Sequence, residues 1–177
     1  VSPIIGGGGG GGGGGPAAGT YTQVATVDLT NAQILALHTT AVTVAAAIPG
    51  KLLLPTYAIL WANFTADYTN IDVNCTIEID LGQGNADWNL PQIADTDAAT
   101  FLQSSGTNII TFAPQQFTSG LGGNARAYLA SENDWIANGV GQPITLSAYN
   151  HGSGNFTGGN AANKLRVTVQ YLTISQP

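Results

Sequence analysis

Apolar and polar residues alternate most regularly in three stretches of the chain. In "IDVNCTIEIDL" (71–81) Ile71, Val73, Cys75, Ile77, Ile79 and Leu81 take every second position. In "PITLSAYN" Ile144, Leu146 and Ala148 do the same, and in "KLRVTVQYLTI" Leu165, Val167, Val169 and Tyr171 do. A period of two turns one face of a strand toward a core, so each stretch predicts a half-buried β-strand. Two further strands are predicted in "TTAVTVAAAI" and "LLLPTYAILWANF", which are separated by the turn pair Pro49-Gly50, and another in "TNIITFAP". Helical signals are few. In "VDLTNAQILAL" Thr30 and Gln33 have capping-box spacing and predict a short helix over about 31–37. In "PQIADTDAATFLQS" Ile93, Ala94, Phe101 and Leu102 can share one helical face.

Short strands, frequent turn signals and only scattered helices point to an all-β fold: an antiparallel β-sandwich, expected to be jelly-roll-like, with one or two short helices. No internal repeat of fixed period is present. Residues 115–141 read as loop-rich, with "SGLGGN" and "NGVGQP" as turn clusters, and "HGSGNFTGGNAAN" reads as a long polar loop. The 177 residues suit a single core, and the chain divides into a Gly-rich arm, residues 1–22, and a β-sandwich body, residues 23–177.

Composition narrows the partners. Charged residues make up 8% of the chain, against roughly 25% in ordinary globular proteins. The surface is therefore covered by small neutral polar groups. Lys51, Arg126, Lys164 and Arg166 are the only basic residues, and the net charge is -6, so a nucleic-acid partner is not expected. The long apolar stretch at 41–62 is interrupted by Pro49 and Pro55, which argues against membrane insertion. No charged segment precedes a hydrophobic leader, which argues against a secretory signal, and Val1 fits removal of an initiator methionine, cleavage of a longer precursor being the alternative. Cys75 is the sole cysteine, which rules out an intrachain disulfide and predicts a small buried hydrophobe.

Candidate chemistry is sparse. The glycine run ends in Pro16-Ala17-Ala18, without the lysine and Ser/Thr of a phosphate-binding loop, and lacks the flanking strand and helix of a dinucleotide fingerprint. His38 and His151 are far apart in sequence, with no catalytic spacing around either. Glu78 and Asp80 share one face of a predicted strand; they read as a solvated face, the alternative being a paired acid site of the glycosidase kind. Asp95 and Asp97 could offer oxygens to calcium, but the full loop motif is absent and an N-cap role is expected instead. Neither a cofactor nor a metal is expected, and the chain reads as a non-enzyme. Trp61, in "AILWANF", is expected in the core. Trp88 and Trp135 stand among Asn and Asp in loop-like surroundings and, with His151 and Phe156, are candidate contacts to a receptor sugar or a subunit interface.

The arm raises a separate question. Ten consecutive glycines carry the highest backbone entropy available, so ordering them needs an outside grip on the backbone. A free coil of this length spans roughly 17 Å, and an extended one roughly 31 Å. Two arrangements supply a grip: packing of several arms around an axis as a stalk, or extension along a groove or sheet edge of a lattice by strand addition. In either, Pro3, Ile4, Ile5, Gly6, Gly10, Gly15 and Pro16 are the anchoring candidates. A flexible tether is the alternative.

"VDLTNAQILALHTTAVTVAAAIPGKLLLP" and "GQPITLSAYNHGSGNFTGGNAANKLRVTVQYLTI" resemble a family of small structural proteins encoded in bacteriophage and prophage genomes. The likeness spans the first and last thirds of the body and rests on strand and turn residues. It implies a virion component, a homotrimeric β-sandwich projecting from the particle. A capsid decoration or cement protein, bound to the major capsid protein or other virion subunits, fits better than a tail-fibre or head-fibre knob that reads host glycans. The chain lacks a long coiled-coil or repeat shaft. Its implied location is the capsid surface, after synthesis in the host cytoplasm.

Overall fold

The computed structural model describes residues 21–82, 92–93, 95–112, 139–152 and 154–175. Its elements in chain order are β1 (Tyr21–Leu29), α1 (Asn31–Leu35), β2 (Val42–Ala45), β3 (Lys51–Phe64), β4 (Tyr68–Thr69) and β5 (Thr76–Leu81). They are followed by β6 (Gln92–Ile93), α2 (Asp95–Leu102), β7 (Gly106–Phe112), β8 (Ile144–Tyr149), β9 (Thr157–Gly158) and β10 (Lys164–Ser175). One sheet has the order β1-β10-β3-β7 and a second the order β2-β8-β5-β6, while β4 and β9 form a small ribbon; every pairing is antiparallel. The chain is all-β with two short helices among the described residues, as the periodicities imply.

Leaving aside the ribbon, the first strand pairs with the last, β2 with β8, β3 with β7 and β5 with β6. This is the order obtained by rolling up one long antiparallel hairpin. The two sheets share one core: Leu53, Leu60 and Phe64 of β3 and Val167 of β10 cluster with Ile77 and Ile79 of β5 and Leu146 of β8. The alternating residues of β8 and β10 are all buried, and those between them in β10 are not.

The phase of that alternation changes once. Between Gln170 and Tyr171 the register on β3 skips Thr56, whose hydroxyl donates to the Gln170 carbonyl at 3.1 Å. The extra residue lets Leu53 and Pro55 face inward before the bulge, and Ala58, Leu60 and Ala62 after it. Pro55 therefore sits inside a 14-residue strand. It is tolerated because the described part of β7 pairs only with Ala58 to Phe64 of β3, so among the described residues no strand asks for an N–H from Pro55 on that side.

Helix α1 begins with the capping box read in the sequence: the Gln33 N–H donates to Thr30 Oγ1 at 3.4 Å, and the Thr30 N–H donates to Gln33 Oε1 at 2.9 Å. It ends at Leu35, and Ile34 and Leu37 plug the core. Helix α2 buries Ala98, Phe101 and Leu102, and Phe101 meets Phe64 edge-on at 6.0 Å between ring centres. Asp95 and Asp97 lie within its first turn, where the helix dipole favours acidic residues, and not at a cap before it.

The strand expected over 71–81 is shorter than its periodicity suggested. Asp72 Oδ1 accepts from the Asn74 N–H at 2.8 Å, the Cys75 N–H closes a turn on the Asp72 carbonyl at 3.0 Å, and Asn70 takes a left-handed φ of 59°. A turn thus occupies the first half, leaving Val73 67% exposed. Cys75 is buried, and burial pushes its thiol up to about 12, so it is the inert small hydrophobe expected.

Truncating Leu60, fully buried beneath both sheets, is expected to cost about 2–5 kcal/mol, and Thr30→Ala about 1 kcal/mol through the lost cap. Urea unfolding of the two variants measures both.

Candidate assembly interface

The outer face of the first sheet follows from the same register. Since Ala58, Leu60 and Ala62 point inward, Tyr57, Ile59, Trp61 and Asn63 point away from the core. Across the strands, Asp28, Arg166, Trp61 and Ile109 stand in one row, Thr26, Thr168, Ile59 and Thr111 in the next, and Val24, Gln170 and Tyr57 in a third. Val24 is 64% and Ile109 61% exposed, and Tyr57, Ile59 and Trp61 are half-buried. Trp61 is thus a surface residue, in correction of its expected place in the core. An apolar run in sequence does not reveal that a β-bulge has shifted the phase upstream of it.

Charge on this face is confined to its margins and one pair. Arg166 grips Asp28 through two bonds, Nε to Oδ1 at 2.6 Å and Nη2 to Oδ2 at 2.8 Å, joining β1 to β10. The guanidinium holds the Asp28 carboxyl below its ordinary value. The rest is threonine, glutamine, aliphatic and aromatic. Aromatic enrichment with few charges is the composition of a protein interface rather than of a free surface.

The outer face of the second sheet is built differently. Glu78 and Asp80 are buried, Asp80 to 1% exposure, which overturns their reading as a solvated face. Thr76 Oγ1 donates to Glu78 Oε1 at 2.9 Å and Ser147 Oγ to Asp80 Oδ2 at 2.5 Å, while Asp80 Oδ1 has no hydrogen-bond partner among the described residues. Burial pushes the Asp80 carboxyl up to about 7, against the Ser147 bond and with help from the Glu78 charge. Period-two polarity shows which face a residue takes, but not whether that face is covered.

At one end of the sandwich the loops are tied down. Asn150, fully buried, accepts from the Asp72 N–H at 2.8 Å and donates to the carbonyls of Asn70 and Gly154 at 2.8 and 2.7 Å. Asn163, also buried, accepts from the Thr65 N–H at 2.8 Å and donates to the Ala66 carbonyl at 2.7 Å. Between them the "long polar loop" forms β9 and drives Phe156 into the core at 2% exposure, so Phe156 is not available as a receptor contact. At Gly159 φ is +67°, and a Cβ would meet the Tyr68 ring at 2.5 Å.

This end also joins the two histidines. The Asn150 N–H donates to His38 Nδ1 at 3.1 Å, and Tyr149, 50% exposed, stands between His38 and His151, with ring centres 6.1 and 4.2 Å away. His151 is exposed. Sequence separation hid this grouping, and no motif marked Tyr149. Pro3, Ile4, Ile5, Gly6, Gly10, Gly15, Pro16, Trp88 and Trp135 lie outside the described residues. Among the described residues no helix is long and apolar enough to cross a membrane.

No known family matches the chain, and no curated protein matches it in sequence. One solved structure, the capsid of Ralstonia phage GP4, resembles it with a TM-score of 0.38 and 13% identity, over 90% of this chain and 87% of that one. A likeness at that level carries no argument.

The folded protein holds the Asp80 proton above the ordinary value of 3.8, so the stability contributed by this group is full below about pH 4 and is lost as pH rises to about 7. The slope for one such group is ~1.4 kcal/mol per pH unit. Asp80→Asn is expected to gain stability relative to the parent across that interval, in thermal melts at stepped pH. Parallel curves would remove the claim. Gly159→Ala is expected to lower the melting temperature at every pH, because both its φ and its contact are strained.

Proposed function

We propose that this protein is a non-enzymatic structural component of a bacteriophage virion: a jelly-roll-like, homotrimeric capsid decoration or cement protein. The outer face of the first sheet would be buried on assembly, and the glycine arm would act as its anchor. The observation that carries the reading is that face, where Tyr57, Ile59, Trp61, Ile109 and Val24 are presented by consecutive cross-strand rows with one ion pair among them. The rolled-hairpin strand order supports the jelly-roll winding, and the resemblance of the first and last thirds of the body supports the virion class.

The mechanism is mass action. A protein that binds the assembled shell and not its separated subunits stabilises the shell by RT ln(1 + [L]/Kd), about 2.7 kcal/mol per site at a hundredfold excess over Kd. No bond is made or broken.

A second reading has one observation in its favour. Tyr149, half-exposed and flanked by His38 and His151, is a flat aromatic surface with polar edges, of the kind that binds a sugar ring on a host-directed knob. Glycan binding by the purified protein, lost on Tyr149→Ala, would favour it.

Particles lacking the protein provide the test. The full chain is expected to bind them stoichiometrically and to raise the temperature at which they disrupt. Trp61→Glu and a chain starting at Tyr21 are expected to do neither while keeping the parental circular dichroism spectrum. Full binding by Trp61→Glu would show that the face is not the contact, and no binding by the full chain would end the cement reading.

A further inference from the structure

Four consecutive residues of β7, Asn108, Ile109, Ile110 and Thr111, line a single groove of about 460 Å³. Successive side chains of a strand point to opposite faces, so one groove touching all four must run along the strand's edge and not over either face. β7 is the last strand of its sheet, and among the described residues no strand pairs with its other side. The opposite wall is α2, which presents Asp97, Thr100 and Phe101. The short connection from α2 to β7 is braced where Asn108 Nδ2 donates to the Ser104 carbonyl at 2.8 Å. The result is a slot with a strand edge that no described strand pairs on one side and a helix on the other, with Phe101, Ile109 and Ile110 among its lining residues.

Such a slot selects its occupant. A chain entering it can hydrogen-bond to β7 as an added strand. A slot bounded by a strand on one side and a helix on the other favours a chain whose backbone can approach closely, and glycine has no side chain to place. The chain itself contains ten glycines in a row, preceded by the apolar Ile4 and Ile5.

We propose that the groove between β7 and α2 receives the N-terminal arm of a neighbouring copy, the glycines pairing with the edge of β7 and Ile4 and Ile5 covering Phe101, Ile109 and Ile110. This deepens the reading of the arm as an assembly device and rests on it. The donor is another copy because of the direction in which the arm leaves. Tyr21 is level with Leu53 of β3, whereas β7 runs alongside Ala58 to Phe64, at the far end. β1 therefore starts at the end of the sheet away from the groove, and a chain filling its own groove would have to recross the sheet. From Tyr21 back to Ile5 is a span of up to ~53 Å, at about 3.3 Å per residue, enough to enter a neighbour. The donor leaves from β1 and the acceptor is β7, the two opposite edges of one sheet. A contact between two different patches is heterologous, and where its rotation closes after three copies it makes a trimer.

The test uses full-length chains and no capsids. One chain carries Ile5→Cys and another Ile109→Cys; they are co-expressed so that they assemble together and treated with a short bis-maleimide, with Val73→Cys, exposed in the turn before β5, replacing Ile109→Cys as control. Cys75 is buried and does not compete. Cross-linked dimer between Ile5→Cys and Ile109→Cys chains is expected on the order of 10²-fold faster than the control, the ratio of a millimolar local concentration to a micromolar bulk one. Replacing Gly7, Gly9 and Gly11 by Val is expected to abolish the excess. Rates equal to the control overturn the proposal, and so does a further variant carrying both Ile5→Cys and Ile109→Cys if it cross-links only within single chains. Cross-linking without capsid binding would keep this contact and end the cement reading, whereas capsid binding without cross-linking would do the reverse.

Discussion

The final strand of the chain closes the structure. β10 lies between β1 and β3 and is hydrogen-bonded along its length to both, so segments separated by most of the sequence are held in one register. A shift of one residue would exchange the two faces. It would send Leu165, Val167 and Val169 outward and Arg166, Thr168 and Gln170 into the core. The same pairing that fills the interior therefore also sets which residues the outer face displays. Because these contacts are so distant in sequence, their loop-closure cost falls due before most of the burial is gained.

Low charge is the second constraint. With few ionic groups to spend on solubility, the protein covers its surface with threonine, asparagine and glycine, and holds its loops by buried amides such as Asn150 and Asn163. These amides satisfy backbone groups that would otherwise be orphaned, and so give a glycine-rich end of the sandwich one defined shape. The outer face of the first sheet is where this economy stops, for there aromatic and aliphatic side chains remain partly exposed.

Local signals in the sequence translated well into structure. The capping box of Thr30 and Gln33, the edges of β8 and the burial pattern of β10 depend on neighbours a few residues away, and a reader of the chain can find them. What escaped depends on distant parts of the fold. Trp61 looked like a core residue because the bulge opposite Gln170 is not written beside it. Glu78 and Asp80 looked solvated because their period is that of an exposed face, and Phe156 looked available because its loop is polar. Tyr149 carries no motif; it matters only because folding brings His38 and His151 to either side of it.

The structure and the proposed role meet on the face formed by Tyr57, Ile59, Trp61 and Ile109. Hydroxyl-radical footprinting of the protein, free and bound to particles, reads the exposure of those side chains directly. The account requires labelling at Tyr57, Ile59 and Trp61 to fall on binding while Tyr149 and His151 stay reactive. Unchanged labelling of the sheet face, with protection at Tyr149 and His151 instead, would contradict it and move the contact to the other end of the molecule.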